Sequence, residues 1–145
     1  MPTMSGNWNH NSYLVEPTTQ QLNAVPAPSP RVSVDTFKWA KGSFEIDSNS
    51  PAKGRLVFAT SVELIVYFSL ESNDGQTIFR AKGVGESGPL KGVVYELLGW
   101  AKLDGAENVV EVSGAILAVK GADAGANVGL GGQVPRAVGF FKLSH

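Results

Sequence analysis

The chain contains no cysteine, which excludes disulfides, thiolate metal sites and a cysteine nucleophile. Only two histidines are present, His10 and His145, and both lie in segments that are usually mobile and exposed. No cluster of His, Asp and Glu has the spacing of a metal site, and no G-x-S-x-G motif marks a serine nucleophile. The sequence therefore predicts no metal and no cofactor.

Charge is also sparse, at 17% charged residues and a net charge of −1. The few basic residues are scattered, so nothing favours binding to nucleic acid or to an anionic membrane. No apolar run reaches the roughly 20 residues that span a bilayer, and the N-terminus lacks the basic and apolar regions of a secretory signal. These absences predict a soluble protein, and the lack of cysteine favours the cytoplasm.

Glycine and proline are unevenly distributed. Residues 1–31 hold five of the eight prolines but one of the 17 glycines, and they carry only two charges. This composition predicts an extended, Pro-rich N-terminal arm over residues 1–31, followed by a folded domain over residues 32–145. Within the arm, Tyr13-Leu14-Val15 could add to a sheet edge or to a neighbouring subunit, and a disordered tail is the alternative.

The most apolar stretch is Arg55–Leu70, which contains no Gly or Pro. Thr60 and Glu63 have the spacing of a helical capping box, but five β-branched residues favour a strand. One strand of this length would reach roughly 50 Å, so we expect a bend or a split near Ala59–Ser61. On a pleated chain one face is almost wholly apolar: Leu56, Phe58, Thr60, Val62, Leu64, Val66, Phe68 and Leu70.

Turn signals divide the rest of the domain into short apolar segments. Ser72–Gly75 predicts a hairpin, and Asp104–Asn108 predicts a turn. Between them Val93–Leu103 matches a helical face, but its β-branched and aromatic residues favour a strand. With no room for helical crossovers, the pattern predicts an all-β fold, a single antiparallel β-barrel of about six to eight strands, or alternatively a two-sheet sandwich. In architecture alone this resembles lipocalin-like and allene oxide cyclase-like barrels.

Two sets of residues are candidates for function. Glu96 and Glu63 lie within apolar runs, and a carboxyl group in an apolar cavity could act as a general acid or base beside Tyr95, although exposure to solvent or a structural ion pair is the alternative. Aromatic residues spread over most strands would either fill the interior or bind a flat apolar ligand: Trp39, Tyr67, Phe79, Trp100 and Phe140. The Gly-rich segment 125–132 lacks the ending of a phosphate loop and is predicted to connect strands; in a barrel it could act as a lid over the mouth.

These features support three hypotheses. The first is a barrel that binds a small apolar or aromatic molecule in its interior. The second is a cofactor-independent cyclase or isomerase that uses a buried carboxylate on the same barrel. The third is a structural or assembly protein that forms a homo-oligomer through its N-terminal arm.

Overall fold

The structure of the protein is a computed structural model, which describes residues 2–14, 38–50, 52–121 and 136–145. The described residues form eight antiparallel strands, each paired with its neighbour in the chain, and β8 pairs with β1 to close a barrel. The strands are β1 (Asn7–Leu14), β2 (Lys38–Ile46), β3 (Lys53–Ala59), β4 (Val62–Asn73), β5 (Gln76–Val84), β6 (Val94–Leu103), β7 (Val109–Lys120) and β8 (Arg136–Ser144). The predicted antiparallel barrel is confirmed.

The apolar stretch Arg55–Leu70 splits where the sequence predicts. Strand β3 ends at Ala59 and β4 begins at Val62, with Ser61 between them at a φ of 60°. Apart from Thr60, which is exposed between the two strands, the even-numbered residues of the stretch face the barrel interior, and Leu56, Leu64, Val66 and Phe68 are buried there. The face assigned from the alternation is therefore the core face, since side chains on a strand point alternately inward and outward.

The β4–β5 hairpin turns on Asp74 and Gly75, whose φ angles of 52° and 75° are both positive. Two positive φ values are typical of the type I′ turn, whose twist matches that of paired strands. The segment Val94–Leu103 is strand β6, so its helical alternative is wrong. Its Gly99 lies opposite Gly114 of β7, and a Cβ on Gly114 would overlap the backbone oxygen of Leu98. Both glycines allow this close approach of two backbones.

Strand β1 lies inside residues 1–31, where the composition predicts an arm. It pairs with β2 on one side and with β8 on the other, so these residues are a structural part of the barrel. Trp8, His10 and Ser12 point inward and are buried, whereas the asparagines between them face outward. The folded domain thus includes residues that precede position 32. The remainder of the predicted arm, residues 15–31, lies outside the described residues.

The two ends of the barrel differ. One end, which we call the packed end, is where β1, β3, β5 and β7 begin. There the ring of His145 packs on the ring of Trp8 with centroids 3.8 Å apart, and Thr3 forms an isolated parallel β-bridge with Asn108. Aromatic rings fill the middle of the barrel at centroid distances of 5.6 to 6.5 Å: Phe44, Phe68, Phe79 and Phe141. At the opposite end, called the cavity end, those four strands end and a short 3-10 helix (Gly88–Leu90) connects β5 to β6. In the described part of the chain, no helix has the length and apolar character needed to cross a membrane.

Candidate ligand-binding cavity

A cavity of about 260 Å³ lies inside the barrel at the cavity end. Three of its lining residues carry polar groups, namely His10, Ser12 and Tyr95. The other six are apolar: Ala40, Phe58, Val62, Leu64, Leu90 and Ile116. Among the described residues, the four phenylalanine rings that fill the middle of the barrel do not line this cavity.

His10 is the most unusual residue of the cavity. It is only 1% exposed, and neither ring nitrogen has a hydrogen-bond partner among the described residues. The ring of Phe58 meets it edge-on at 5.8 Å, and the ring of Phe141 is stacked with it at 6.5 Å. Burial lowers the pKa of His10 from 6.5 to about 4, because the charged imidazolium is disfavoured away from water. At neutral pH the imidazole is therefore uncharged, with one nitrogen donating and the other accepting.

Ser12 and Tyr95 supply the remaining polar atoms. The Ser12 hydroxyl donates a 3.3 Å hydrogen bond to the carbonyl oxygen of Ala40 across the β1–β2 pair, which leaves its oxygen able to accept. Tyr95 projects inward from β6 and is buried. Among the described residues, no Asp, Glu, Lys or Arg lines the cavity.

The two carboxylates selected from the sequence lie on the outside of the barrel. Glu63 accepts a hydrogen bond from Arg55 at 3.3 Å, and the same guanidinium contacts Glu45 at 2.9 Å. Glu63 thus belongs to an ion-pair network across β2, β3 and β4. Glu96 is exposed and lies in register with Lys82 of β5. Among the described residues no carboxylate is buried, and of the three candidate catalytic residues only Tyr95 reaches the cavity.

The aromatic candidates are divided among three places. Phe79 is 1% exposed and belongs to the filled core. Tyr67, Trp100 and Phe140 are 46%, 58% and 58% exposed on the outer surface. Trp39 lies in β2, but its side chain lies outside the described residues. None of the four described aromatics lines the cavity, whose aromatic residues are instead Phe58 and Tyr95, with the imidazole of His10.

A row of apolar side chains crosses the outside of β6, β7 and β8. Leu98 lies in register with Ala115, which lies in register with Phe140, and Trp100 lies two residues along β6 from Leu98. Leu98 is 45% exposed, and Trp100 and Phe140 are more so. We call these four residues the outer apolar face. Contiguous exposed apolar area of this kind is typical of interaction surfaces.

His10 and Ser12 were missed because the N-terminal segment was interpreted from its composition. A signal was nevertheless present, because Asn7, Asn9 and Asn11 alternate with Trp8, His10 and Ser12. Three asparagines at every second position over six residues would share one face of a strand and leave Trp8, His10 and Ser12 on the other.

Scans of the chain against protein-family models, curated proteins and solved structures find no match. Among the described residues, no group of three or more His, Asp and Glu side chains is placed to hold a metal ion.

Proposed function

We propose that the protein binds a small, mostly apolar molecule inside the cavity end of the barrel. The observation that carries this proposal is the cavity itself, which is lined by six apolar residues beside a buried His10. An eight-stranded barrel is wide enough either to be filled by side chains or to hold one small ligand. An apolar protein cavity of about 150 Å³ binds benzene. The cavity here, at about 260 Å³, can hold a ring with substituents.

The side chains at the two levels of the barrel support the same proposal. Four phenylalanine rings fill the middle of the same barrel, whereas the small side chain of Ala40 lines the cavity. The small side chain of Ala40 leaves space at this end that a ligand can occupy.

The test fills the cavity and measures binding of a probe. We expect the wild-type protein to bind 1,4-dimethylbenzene, detected as chemical-shift changes of the Leu64 and Ile116 methyl groups. Ala40→Leu adds three carbons to the cavity wall and should weaken this binding by about tenfold or more, the loss of one to two kcal/mol. The matched control is Ala106→Leu, an exposed position in the β6–β7 turn at the packed end. The proposal is wrong if the wild-type protein does not bind the probe, or if Ala40→Leu binds it as well as Ala106→Leu does.

The enzymatic hypothesis has less support from the geometry. A cyclase or isomerase would need an acid or base at the cavity, but Glu63 and Glu96 both lie on the outer surface. Tyr95 is the one candidate catalytic residue that lines the cavity. Binding is for this reason proposed ahead of catalysis.

The outer apolar face supports a second function, assembly with another copy of the chain. Its rim carries charges of both signs, with Arg80 and Lys142 near Glu71 and Glu111. A two-fold dimer brings the same patch of each copy together, so a rim of mixed charge can complement itself. Sedimentation should then give twice 15.3 kDa, and Trp100→Lys with Phe140→Lys should give a monomer. A wild-type protein that stays monomeric at all concentrations contradicts this second proposal.

A further inference from the structure

The residues that line the cavity also bear on the chemistry of the ligand, and this step rests on the proposed function. We propose that the ligand is uncharged and carries one hydroxyl group, which forms a hydrogen bond with His10 while the apolar remainder fills the cavity.

None of the described residues that line the cavity is charged at neutral pH. Among them a carboxylate or phosphate would meet no Lys or Arg, and an ammonium would meet no Asp or Glu. Moving an ion out of water into such surroundings is strongly unfavourable unless an opposite charge compensates it. A neutral ligand meets no such penalty.

The two nitrogens of His10 call for a polar group. In the neutral imidazole one nitrogen is a donor and the other an acceptor, and each lacks a partner among the described residues. A buried polar atom without a partner is unfavourable, so a ligand that supplies the partner gains affinity. A hydrocarbon supplies none, and a carbonyl can only accept. Both nitrogens are buried, so the ring turns to present one of them to the ligand, and a hydroxyl, which both donates and accepts, satisfies that nitrogen in either tautomer.

The position of His10 also orients the ligand. His10 lines the cavity on one side, and on the other it borders a void of about 10 Å³ next to Phe44 and Phe79. A space of that size has room for about one water molecule at most. His10 thus lies at the inner limit of the cavity, next to the phenylalanine rings of the core. The hydroxyl group enters first, and the apolar part of the ligand lies against Val62 and Leu90 nearer the strand ends.

Two probes of nearly the same shape separate the hydroxyl from the hydrocarbon. 4-Methylphenol carries one hydroxyl group where 1,4-dimethylbenzene carries a methyl group. We expect the wild-type protein to bind 4-methylphenol at least as tightly as 1,4-dimethylbenzene. In His10→Leu, which keeps the volume but removes both nitrogens, the affinity for 4-methylphenol should fall about tenfold or more. The affinity for 1,4-dimethylbenzene should change by no more than about threefold, because that probe makes no hydrogen bond.

A second measurement needs no substitution. In the wild-type protein labelled with ¹⁵N at the histidine ring, 4-methylphenol should shift the His10 nitrogen signals, and 1,4-dimethylbenzene should leave them nearly unchanged. The hydroxyl inference is overturned if both probes bind but give the same His10 signals, or if His10→Leu weakens both equally. In that case the proposed binding function remains. If neither probe binds the wild-type protein, the binding function fails as well.

Discussion

Acidification should weaken the fold through His10, and the loss can be worked out from its burial. The pKa of His10 is lowered to about 4 in the folded barrel, whereas the ordinary pKa of a histidine is 6.5. Between these two pH values the unfolded chain binds a proton that the folded protein excludes. The free energy of unfolding therefore falls as the pH drops below about 6.5, and the fall from this residue is complete below about pH 4.

The size of the effect follows from the two pKa values. A shift of one pKa unit corresponds to about 1.4 kcal/mol, so the full loss from His10 is about 3 kcal/mol. At pH 5 the unfolded chain is almost fully protonated at this position and the folded protein mostly is not, which gives a loss of about 2 kcal/mol. Such a loss is a substantial part of the 5 to 15 kcal/mol, roughly, that stabilises a typical domain.

The assay is urea unfolding of the protein without added ligand at pH 7.5 and pH 5. His10→Leu is the control, because it removes this titration and leaves all others in place. The pKa of Asp104 is lowered by hydrogen bonds from the backbone of Asn108 and Ala106, so that carboxyl group titrates below this window. Between pH 7.5 and pH 5 the free energy of unfolding should fall by about 2 kcal/mol more in the wild-type protein than in His10→Leu.

Equal pH dependence of the two proteins would refute the reasoning. It would mean that His10 titrates in the folded barrel as it does in the unfolded chain, and hence that water or another group reaches its ring. A larger loss in His10→Leu than in the wild-type protein would contradict even the sign of the predicted effect.

Three further predictions concern stability and the outer surface. At pH 7.5, His10→Leu should raise the free energy of unfolding by about 1 kcal/mol or more, since it removes a buried imidazole without partners, and urea unfolding measures this. Gly114→Ala should destabilise the barrel by about 1 to 3 kcal/mol, whereas Gly105→Ala in an exposed turn with free space should stay within about 0.5 kcal/mol. Glu63→Gln should lower the free energy of unfolding by less than about 1 kcal/mol. Both Glu63→Gln and Glu96→Gln should leave the binding of 1,4-dimethylbenzene unchanged. A tenfold loss of binding in either Gln variant would place that carboxylate at the site.

The barrel was predictable because local signals agreed with one another. Asp74-Gly75 requires a tight hairpin, and the alternation after Val62 assigns the inner face without reference to other strands. Gly99 weakens a helix, and this favours a strand for Val93–Leu103. In the barrel Gly99 lies in a strand, opposite Gly114 of β7. Where a turn residue and an alternating pattern are adjacent, the sequence alone determines the element.

The cavity was not predictable, because it depends on which strands meet. His10 and Glu96 are both polar residues in alternating segments, yet one faces inward and the other outward. The inward position of His10 follows from the pairing of β1 with β8, two segments at opposite ends of the chain. The apolar run around Glu96 made that residue appear buried, but the outer surface of β6 is itself partly apolar.

The closure of the barrel has a consequence for how the cavity forms. Each strand pairs with the strand that follows it in sequence, and only the closing pair β1–β8 joins strands that are far apart in sequence. This pair places residues such as His10 and Leu143 opposite each other. Bringing distant segments together has the largest entropic cost, and such contacts tend to form late in folding. His10 and Ser12 both lie on β1, so they reach the cavity only when β1 pairs with β8. We expect hydrogen exchange to show the β1–β8 amides opening most readily, and the ability to recognise a ligand to appear in the last step of folding.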